Sequence, residues 1–461
     1  MNSLLASDYK NIDTLLEQTT GVALEYFRAQ NDLPASRFIK DIELTNLPNK
    51  GISAKGAVEL FAKSYADKMT NSAGPRYFGF VTGGSTPASI AGDWLVSAFD
   101  QNACGSNDSI APQLERQTLH YLKQLFGIDE VYFGSFVTGA TVSNFVSLAI
   151  ARQWVGEQQG IDIGNEGLQA LPFLRVISST AHSSIIKSLA MLGIGRNALV
   201  KINTLPDREA IDLSELENYL RQNQDKPLII VANAGTVNTV DFDDLEAIGQ
   251  LKTKYNFWLH VDAAFGGFAA ISPTFAHLVK GINHADSITV DAHKWLNVPY
   301  DAAMQFTRHK DLQLKVFQNS AAYLGDPAQS PDYFHYTPEN SRRFRALPSW
   351  FTLMAYGKEG HQEIVERNCA CAKSFGDLIE HSKEFKLLSP VRMNVVCFTF
   401  REENINTSQI SAFLAKVRDD GRTFFTPTNY KGVPAIRAAF SNWQTTEADV
   451  AIAFQALKEN Y

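Results

Sequence analysis

The feature of this sequence that most constrains its fold is an alternation of short β-rich runs with helical stretches, which begins near residue 130. The runs carry few polar residues and are the following: 131–133, 174–177, 228–232, 257–261 and 287–290. Apolar runs of this length, separated by helices, favour a parallel or mixed sheet that helices cover on both faces. Ligands of such sheets bind beyond the carboxyl ends of the strands, so we expect functional residues directly after each run.

The segment that precedes this region has a different pattern. Residues 8–71 show amphipathic helical spacing, which is interrupted near Pro34 and Pro48. Residues 75–87 follow as a loop rich in glycine, aromatic and hydroxyl side chains. Residues 1–75 are therefore predicted to form an N-terminal helical segment.

The pattern changes again after about residue 350. The elements predicted there are a helix near 350–380, β-like stretches at 394–400 and 434–440, and a helix at 446–459. This order is typical of a small α+β domain. We predict a large domain over residues 76–350 and a smaller C-terminal α+β domain over residues 351–461.

Composition and charge exclude several kinds of partner. The 461 residues carry a formal net charge of -7, and nothing resembles the basic face that binds nucleic acid. No window approaches the roughly 18 apolar residues of a membrane span, and the N-terminus lacks the pattern of a secretory signal. The spacing of Cys369 and Cys371, two of four cysteines, fits neither a redox pair nor a zinc site. We expect a soluble, cytoplasmic protein without a metal.

Two of the expected strand-end positions hold residues that suit an amine and an aromatic ring. Lys294 follows the run at 287–290, and a desolvated lysine amine suits imine formation with a carbonyl compound. Asp262 ends the run at 257–261, where a carboxylate can pair with a protonated pyridine nitrogen. Each has a common structural explanation when taken alone, since lysines often reach solvent and aspartates often end strands.

Three further strand-end segments could hold the rest of such a ligand. Thr138-Gly139-Ala140-Thr141 precedes an apolar helix, and small residues at a helix start expose N–H groups where the helix dipole favours an anion. His182 follows the run at 174–177 and can stack on a ring, and Thr236 follows the run at 228–232. A helix cap or a core histidine would explain each alone. Together the segments supply an anion site, a ring stacker, a pyridinium partner and an imine lysine.

With these segments in register, the sequence resembles the group II decarboxylases that depend on pyridoxal 5′-phosphate (PLP), which act on aromatic amino acids, histidine and glutamate. The stretches that match are Leu-His-Val-Asp-Ala-Ala at 259–264, Asp-Ala-His-Lys-Trp-Leu at 291–296, Ala-His-Ser-Ser at 181–184 and Arg-Arg-Phe-Arg-Ala-Leu at 342–347. Their order and spacing match from about residue 70 to the C-terminus. The resemblance implies PLP as cofactor and fold type I, with a mostly parallel seven-stranded sheet. It also implies a homodimer with active sites at the interface.

The resemblance assigns roles to individual residues by position. Lys294 would carry the cofactor as a Schiff base, Asp262 would pair with its ring nitrogen, and His182 would stack on the ring. The other residues implied to contact the cofactor are Gly139, Ala140, Thr141, Thr236, Ala264 and His293. Tyr323 matches a catalytic-loop tyrosine that protonates the α-carbon after CO2 leaves.

The substrate side is less constrained. The residues expected to face the substrate are Phe80, Val81, Thr82 and Arg342, with a structural ion pair as the alternative for Arg342. Phe80 and Val81, together with Trp94 and Phe99, indicate an apolar pocket, which favours an aromatic L-amino acid. The Pro-Arg-Tyr-Phe stretch at 75–78 leaves an acidic amino acid open.

The sequence differs from the family pattern at one notable position, and other reactions of the same fold have to be considered. Asp291 stands where many relatives have asparagine, and a second anion near a phosphate repels it unless the carboxylate turns away or finds a donor. An aminotransferase or a lyase of the same fold is the rival reaction, and the lyase would need a reactive cysteine. A non-catalytic PLP-binding protein would be expected to lack Lys294, Asp262 or Tyr323. Related aldehyde synthases tend to carry phenylalanine at 323 or asparagine at 182, so Tyr323 and His182 favour simple decarboxylation.

Overall fold

Two separate β-sheets organise the chain, as seen in a computed structural model that describes residues 1–39, 41–105, 109–319 and 332–461. Among these residues, the larger sheet has seven strands in the order β1-β7-β6-β5-β4-β2-β3. Its strands are β1 (Phe133–Val137), β2 (Val176–Ser178), β3 (Leu199–Lys201), β4 (Leu228–Asn233), β5 (Phe257–Asp262), β6 (Ser287–Val290) and β7 (Ala303–Thr307). The pairs from β3 to β6 are parallel, whereas β7 runs antiparallel to both of its neighbours. The predicted mostly parallel seven-stranded sheet is confirmed.

Helices cover this sheet and make up much of the rest of the chain. The helices are α1 (Ser3–Lys10), α2 (Ile12–Ala29), α3 (Ser53–Ser64), α4 (Pro87–Phe99), α5 (Ala111–Phe126), α6 (Ala140–Glu157), α7 (Ile163–Glu166), α8 (Ser183–Met191), α9 (Leu213–Gln222), α10 (Leu245–Leu251), α11 (Ala292–Trp295), α12 (Lys310–Phe317), α13 (Ala346–His381), α14 (Thr407–Asp420) and α15 (Glu447–Asn460). Every residue of β4 and β5 is buried, which explains why these strands read as continuous apolar runs.

The first strand lies slightly later in the chain than its predicted position at 131–133. Val131 is 59% exposed and belongs to a turn, and β1 begins only at Phe133. Gly134 and Ser135 have weak strand propensity, but both are buried because tertiary packing decides the conformation here. The strands β3 and β7 were not predicted.

The smaller sheet is antiparallel throughout, in the order β10-β11-β9-β8, and packs on its own apolar core. Its strands are β8 (Phe385–Leu387), β9 (Val395–Phe400), β10 (Thr426–Tyr430) and β11 (Val433–Ala439). The predicted stretches at 394–400 and 434–440 correspond to β9 and β11. The predicted domain boundaries stay a prediction, and the one at residue 350 falls inside α13.

The N-terminal helices α1, α2 and α3 bury none of their residues. Their amphipathic spacing was predicted, and their apolar side chains are either exposed or only half-buried. Among the described residues, no helix combines the length and the hydropathy that a membrane crossing requires.

Candidate active site

A cavity of about 710 Å³ lies at the carboxyl ends of the parallel strands, where the sequence predicted functional residues. Residues that follow β1, β2, β4, β5 and β6 line it, and Arg437 of β11 reaches it from the smaller sheet. The sequence-predicted residues among its walls are Phe80, Val81, Ala140, His182, Thr236, Asp262, Ala264, His293 and Lys294. The fold therefore gathers most of the predicted set around one space.

Lys294 lies in α11, the single helical turn that follows β6. Its side chain is 19% exposed, and Nζ lies 3.2 Å from Oδ2 of Asp291 and 5.7 Å from the centre of the Phe265 ring. The loop that precedes α4 passes directly over this turn, and a Cβ at Gly83 would lie only 1.7 Å from the carbonyl oxygen of Lys294. Only glycine permits this approach, so the backbone of the loop packs directly against the backbone of Lys294.

Asp291 departs from the pattern of relatives, and it has turned toward donors. It is 2% exposed, and its Oδ1 lies 3.2 Å from Nε2 of His293, on the side away from Lys294. Burial lowers the pKa of His293, and the Asp291 carboxylate opposes that shift. Its Nδ1 accepts a hydrogen bond from the N–H of Ala302, so Nε2 carries the hydrogen of a neutral ring. The extra carboxylate thus lies 3.2 Å from a nitrogen of each of two basic side chains, although its Oδ1 makes no hydrogen bond to a described residue.

Asp262 ends β5 and receives hydrogen bonds on both oxygens. Oδ1 accepts from the N–H of Ala264 at 3.2 Å, and Oδ2 accepts from Nδ2 of Asn144 at 3.0 Å. Asp262 is 7% exposed and lines the cavity. Donors on both oxygens fix the orientation of the carboxylate, as a partner of a pyridinium nitrogen would require.

Asn144 is the last donor in a chain of hydrogen bonds that leads to Asp262. Each residue of the chain donates to the next one in the direction of Asp262. The Oδ1 atom of Asn144 can only accept, so Nε2 of His260 must donate to it at 2.9 Å. Burial lowers the pKa of His260 to about 4, so the ring is neutral and its Nδ1 accepts from the Ser287 hydroxyl at 2.9 Å. Nε1 of Trp258 donates to the same hydroxyl oxygen at 3.0 Å. The chain from Trp258 through Ser287, His260 and Asn144 to Asp262 is hereafter called the Asp262 relay.

His182 is the N-cap of α8 and is oriented by the same asparagine. Nδ1 of His182 accepts from the backbone N–H of Ser184 at 3.2 Å and from its hydroxyl at 2.8 Å. That hydroxyl oxygen in turn accepts from Nδ2 of Asn144 at 3.0 Å. The hydrogen of a neutral His182 ring therefore sits on Nε2, and Asn144 links the predicted ring stacker to the predicted ring-nitrogen partner.

The start of α6 offers an anion site beside His293. Gly139 caps the helix without a side-chain hydrogen bond, and the N–H groups of Ala140 and Thr141 have no acceptor among the described residues. A Cβ at Gly139 would lie 3.3 Å from the His293 ring, so glycine leaves room there. The Thr141 side chain does not line the cavity, and its contribution is confined to the backbone.

Two predicted substrate residues do not face the cavity. Arg342 is 2% exposed, and its guanidinium pairs with Glu115 at 2.8 and 3.2 Å and donates to the carbonyls of Ala103 and Phe136. Its expected contact with the substrate is therefore wrong for the described cavity, and the alternative, a structural ion pair, is what the side chain makes. Thr82 is also buried outside the lining, although its neighbours Phe80 and Val81 line the cavity.

The buried pair of Arg342 with Glu115 gives a stability prediction. Changing Glu115 to glutamine leaves the guanidinium buried without a counter-charge, so we expect the free energy of unfolding to fall by about 3–5 kcal/mol. Urea titration at neutral pH measures this. A double variant with Arg342→Met and Glu115→Leu removes both charges and should lose clearly less. A loss below about 1 kcal/mol in the single variant would show that the pair carries no such role.

Some residues singled out from the sequence do not line the cavity or lie outside the described residues, and other residues of the site were missed. Trp94 and Phe99 are 46% and 65% exposed on α4 and do not line the cavity, because that face of α4 points outward. Tyr323 lies outside the described residues. The sequence analysis missed Asn144, His260, Glu209, Tyr300 and Arg437. His260 and Asn144 could have been found as polar residues inside apolar runs, whereas the other three carry no such signal.

A seven-stranded, mostly parallel sheet with this lysine, aspartate and histidine at its strand ends defines a fold type I PLP-dependent enzyme. Residues 45–401 match the profile of the family described as "Pyridoxal-dependent decarboxylase conserved domain". The chain belongs to this family, and it is a PLP-dependent amino-acid decarboxylase.

Individual relatives agree with the family. An aromatic-L-amino-acid decarboxylase of Bacillus atrophaeus is 24% identical over 94% of this chain and 92% of its own length. One of Manduca sexta is 28% identical over 85% of this chain and 79% of its own length. The fold is that of Oryza sativa TDC, solved with PLP and tryptamine, with a TM-score of 0.90, 22% identity and coverage of 98% and 97% of the two chains. Mouse CSAD has a TM-score of 0.88 at 22% identity, with coverage of 98% and 99%.

The residues around the cavity fit PLP as a donor set. The uncapped start of α6 could take a phosphate, Asp262 could take the ring nitrogen, His182 could stack on the ring, and Lys294 could supply the amine. The lyase rival needs a reactive cysteine, but no cysteine is among the described residues that line the cavity, and burial raises the pKa of Cys371 and Cys397 to about 12. Such thiols are poor nucleophiles near neutral pH.

Proposed function

We propose that the chain removes the α-carboxyl group of an aromatic L-amino acid as CO2 and releases the corresponding amine. The relatives named as aromatic-L-amino-acid decarboxylases support this substrate class. The observation that carries the proposal is the cavity, in which Lys294, Asp262 and His182 surround one space with the apolar walls of Phe80 and Phe265. The side-chain carboxylate of an acidic substrate would lie against these apolar walls, and burying that charge there is unfavourable.

The residues divide the work as follows. Bound PLP supplies an electron-withdrawing ring that accepts the electron pair left when CO2 departs. Lys294 would hold the cofactor through its amine, and Asp262 would hold a proton on the ring nitrogen. His182 packs on the ring face. The N–H groups of α6 hold the phosphate.

Two further residues act on the substrate itself. Arg437 is 9% exposed, and its Nη1 donates to the Val237 carbonyl at 3.2 Å while Nε has no hydrogen-bond partner among the described residues. This buried cation is proposed to receive a substrate carboxylate. Tyr323 is proposed to deliver the proton to the α-carbon, as the resemblance implies.

The experiment that tests this function uses purified protein with PLP and each of the twenty amino acids in turn. CO2 and amine are measured together. We expect both products from tyrosine, phenylalanine or tryptophan, in equal amounts. Keto-acid formation without CO2 would contradict decarboxylation, and it would favour the aminotransferase.

An acidic amino acid remains the second candidate because Arg437 offers a cation to a side-chain carboxylate. It would give CO2 from glutamate or aspartate and none from aromatic substrates in the same experiment. That result would replace the aromatic proposal while keeping the reaction.

A homodimer is proposed as the working form. The apolar residues that α1 to α3 leave exposed include Leu4, Leu5, Leu16, Leu24, Phe27 and Leu60. At the cavity, Phe80 and Tyr300 are 56% and 61% exposed, so a second copy that covered the mouth would bury two aromatic rings. Sedimentation analysis of the holoenzyme would give twice the chain mass, and a monomer that retains full activity would contradict the proposal.

The proposed location is the cytoplasm. Cys369, Cys371 and Cys397 form no disulfide with a described residue and are buried as ordinary packing thiols, which suits a reducing compartment. Fractionation of the source cells with an antibody to the chain would test this location.

A further inference from the structure

Apart from Asp262, two buried charged side chains in the cavity have no ion-pair partner among the described residues. One is Arg437, whose proposed ligand is a carboxylate. The other is Glu209, which is 8% exposed and lies between β3 and α9. Burial of a carboxylate without a cation costs free energy unless hydrogen bonds compensate it. Such a group in the wall of a ligand cavity is therefore a candidate for a functional role.

The Glu209 side chain is fixed on one oxygen and open on the other. Oε2 accepts hydrogen bonds from the hydroxyls of Thr236 at 2.5 Å and of Thr239 at 2.6 Å. The backbone carbonyl of Glu209 accepts from the Thr180 hydroxyl at 2.9 Å, which fixes the backbone as well. Oε1 accepts no hydrogen bond from any described residue. The carboxylate is therefore held in place with a spare acceptor atom.

The other charges around the cavity already have assignments. Asp262 is assigned to the cofactor ring nitrogen under the proposed function, and Lys294 lies against Asp291. Arg437 is left for a substrate carboxylate. Glu209 is the remaining anion of the lining, and neither the cofactor nor the α-carboxylate is a suitable partner for it because both bring negative charge.

We propose that Glu209 is a specificity-determining residue that accepts a hydrogen bond from the far end of the substrate side chain. It selects aromatic amino acids with a ring hydroxyl or ring N–H over phenylalanine, and its charge rejects acidic side chains. The inference rests on the proposed function and narrows its substrate class. A hydrogen bond to a buried charged acceptor discriminates strongly, because a ligand that lacks the donor leaves the acceptor unpaired.

The test compares Glu209→Gln with the unchanged holoenzyme. Glutamine keeps the size of the side chain and can still accept from the two threonine hydroxyls through its oxygen, but it carries no charge. We expect kcat/KM for tyrosine to fall by about 10- to 100-fold, while kcat/KM for phenylalanine changes by less than about threefold. Glu217→Gln is the matched control, since Glu217 is an exposed carboxylate that pairs with Lys254 on the surface and should leave both values unchanged.

The outcomes separate this inference from the proposed function. An equal fall for tyrosine and phenylalanine would mean that Glu209 only positions Thr236, and it would overturn the inference while aromatic decarboxylation stands. Turnover of 2,4-diaminobutyrate or ornithine without turnover of tyrosine would also overturn it, because the partner of Glu209 would then be an ammonium group. Cofactor loading is checked by the visible absorbance of each variant, so that loss of PLP is not read as loss of specificity. If none of the aromatic substrates yields an amine even with the unchanged enzyme, the proposed function fails first.

Discussion

Lys294→Ala is expected to lose covalent attachment of PLP and to lower decarboxylation by on the order of 10⁴-fold or more. The lysine amine is held at the cavity, beside Asp291 and the Phe265 ring, so its reaction with the cofactor is intramolecular. Effective molarities of well-oriented groups reach values that free amines in solution cannot replace. Reduction with borohydride followed by mass spectrometry measures the attachment, and CO2 release measures the rate.

A neighbouring surface lysine supplies the control for this variant. Lys310→Ala removes a lysine at the start of α12, outside the cavity, and should retain both attachment and activity. Lys294→Arg keeps a cation beside Asp291 but offers no amine, so it should hold the fold and still lose attachment. A Lys294→Ala protein that remained covalently labelled would refute the central assignment of the site.

The site residues that could be predicted from the sequence are those that directly follow a strand. Lys294, Asp262, His182 and Thr236 follow strands whose apolar runs are visible in the sequence, and parallel strands bring their carboxyl ends to one edge. These four predicted residues line the cavity together.

The residues that escaped prediction depend on tertiary packing. Arg437 reaches the cavity from β11 of the smaller sheet, and no periodicity reveals which strand of one sheet approaches the end of another. Glu209 lies in the connection between β3 and α9, where an acidic residue is ordinarily a solvated surface group. Arg342 is the opposite case. Its position in the family pattern suggested a contact with the substrate, but the side chain is buried in an ion pair with Glu115.

Asp262→Asn is expected to lower decarboxylation by roughly 10²- to 10⁴-fold while the protein still binds PLP. The substitution keeps the shape of the side chain and its hydrogen bond from Ala264, but it removes the charge that would hold a proton on the ring nitrogen. Loss of one partner of a desolvated ion pair costs about 3–5 kcal/mol, and each 1.4 kcal/mol corresponds to tenfold. Because the ring nitrogen is the end of the electron sink, the loss should fall on kcat rather than on KM.

The Asp262 relay makes a graded version of the same prediction. Ser287→Ala removes the hydroxyl that donates to Nδ1 of His260, so the ring loses the partner that keeps the hydrogen on Nε2 and directed at Asn144. We expect a fall in kcat of about 3- to 10-fold, which corresponds to one hydrogen bond, with a changed pH dependence of kcat and little change in KM.

Asn144→Leu breaks the links to Asp262 and to His182 together, so its effect should lie between those of Ser287→Ala and Asp262→Asn. A Ser287→Ala enzyme that lost stability in urea but kept its kcat and pH profile would make the relay a packing feature, and Asp262 would then owe its charge to the Ala264 N–H and the cofactor alone.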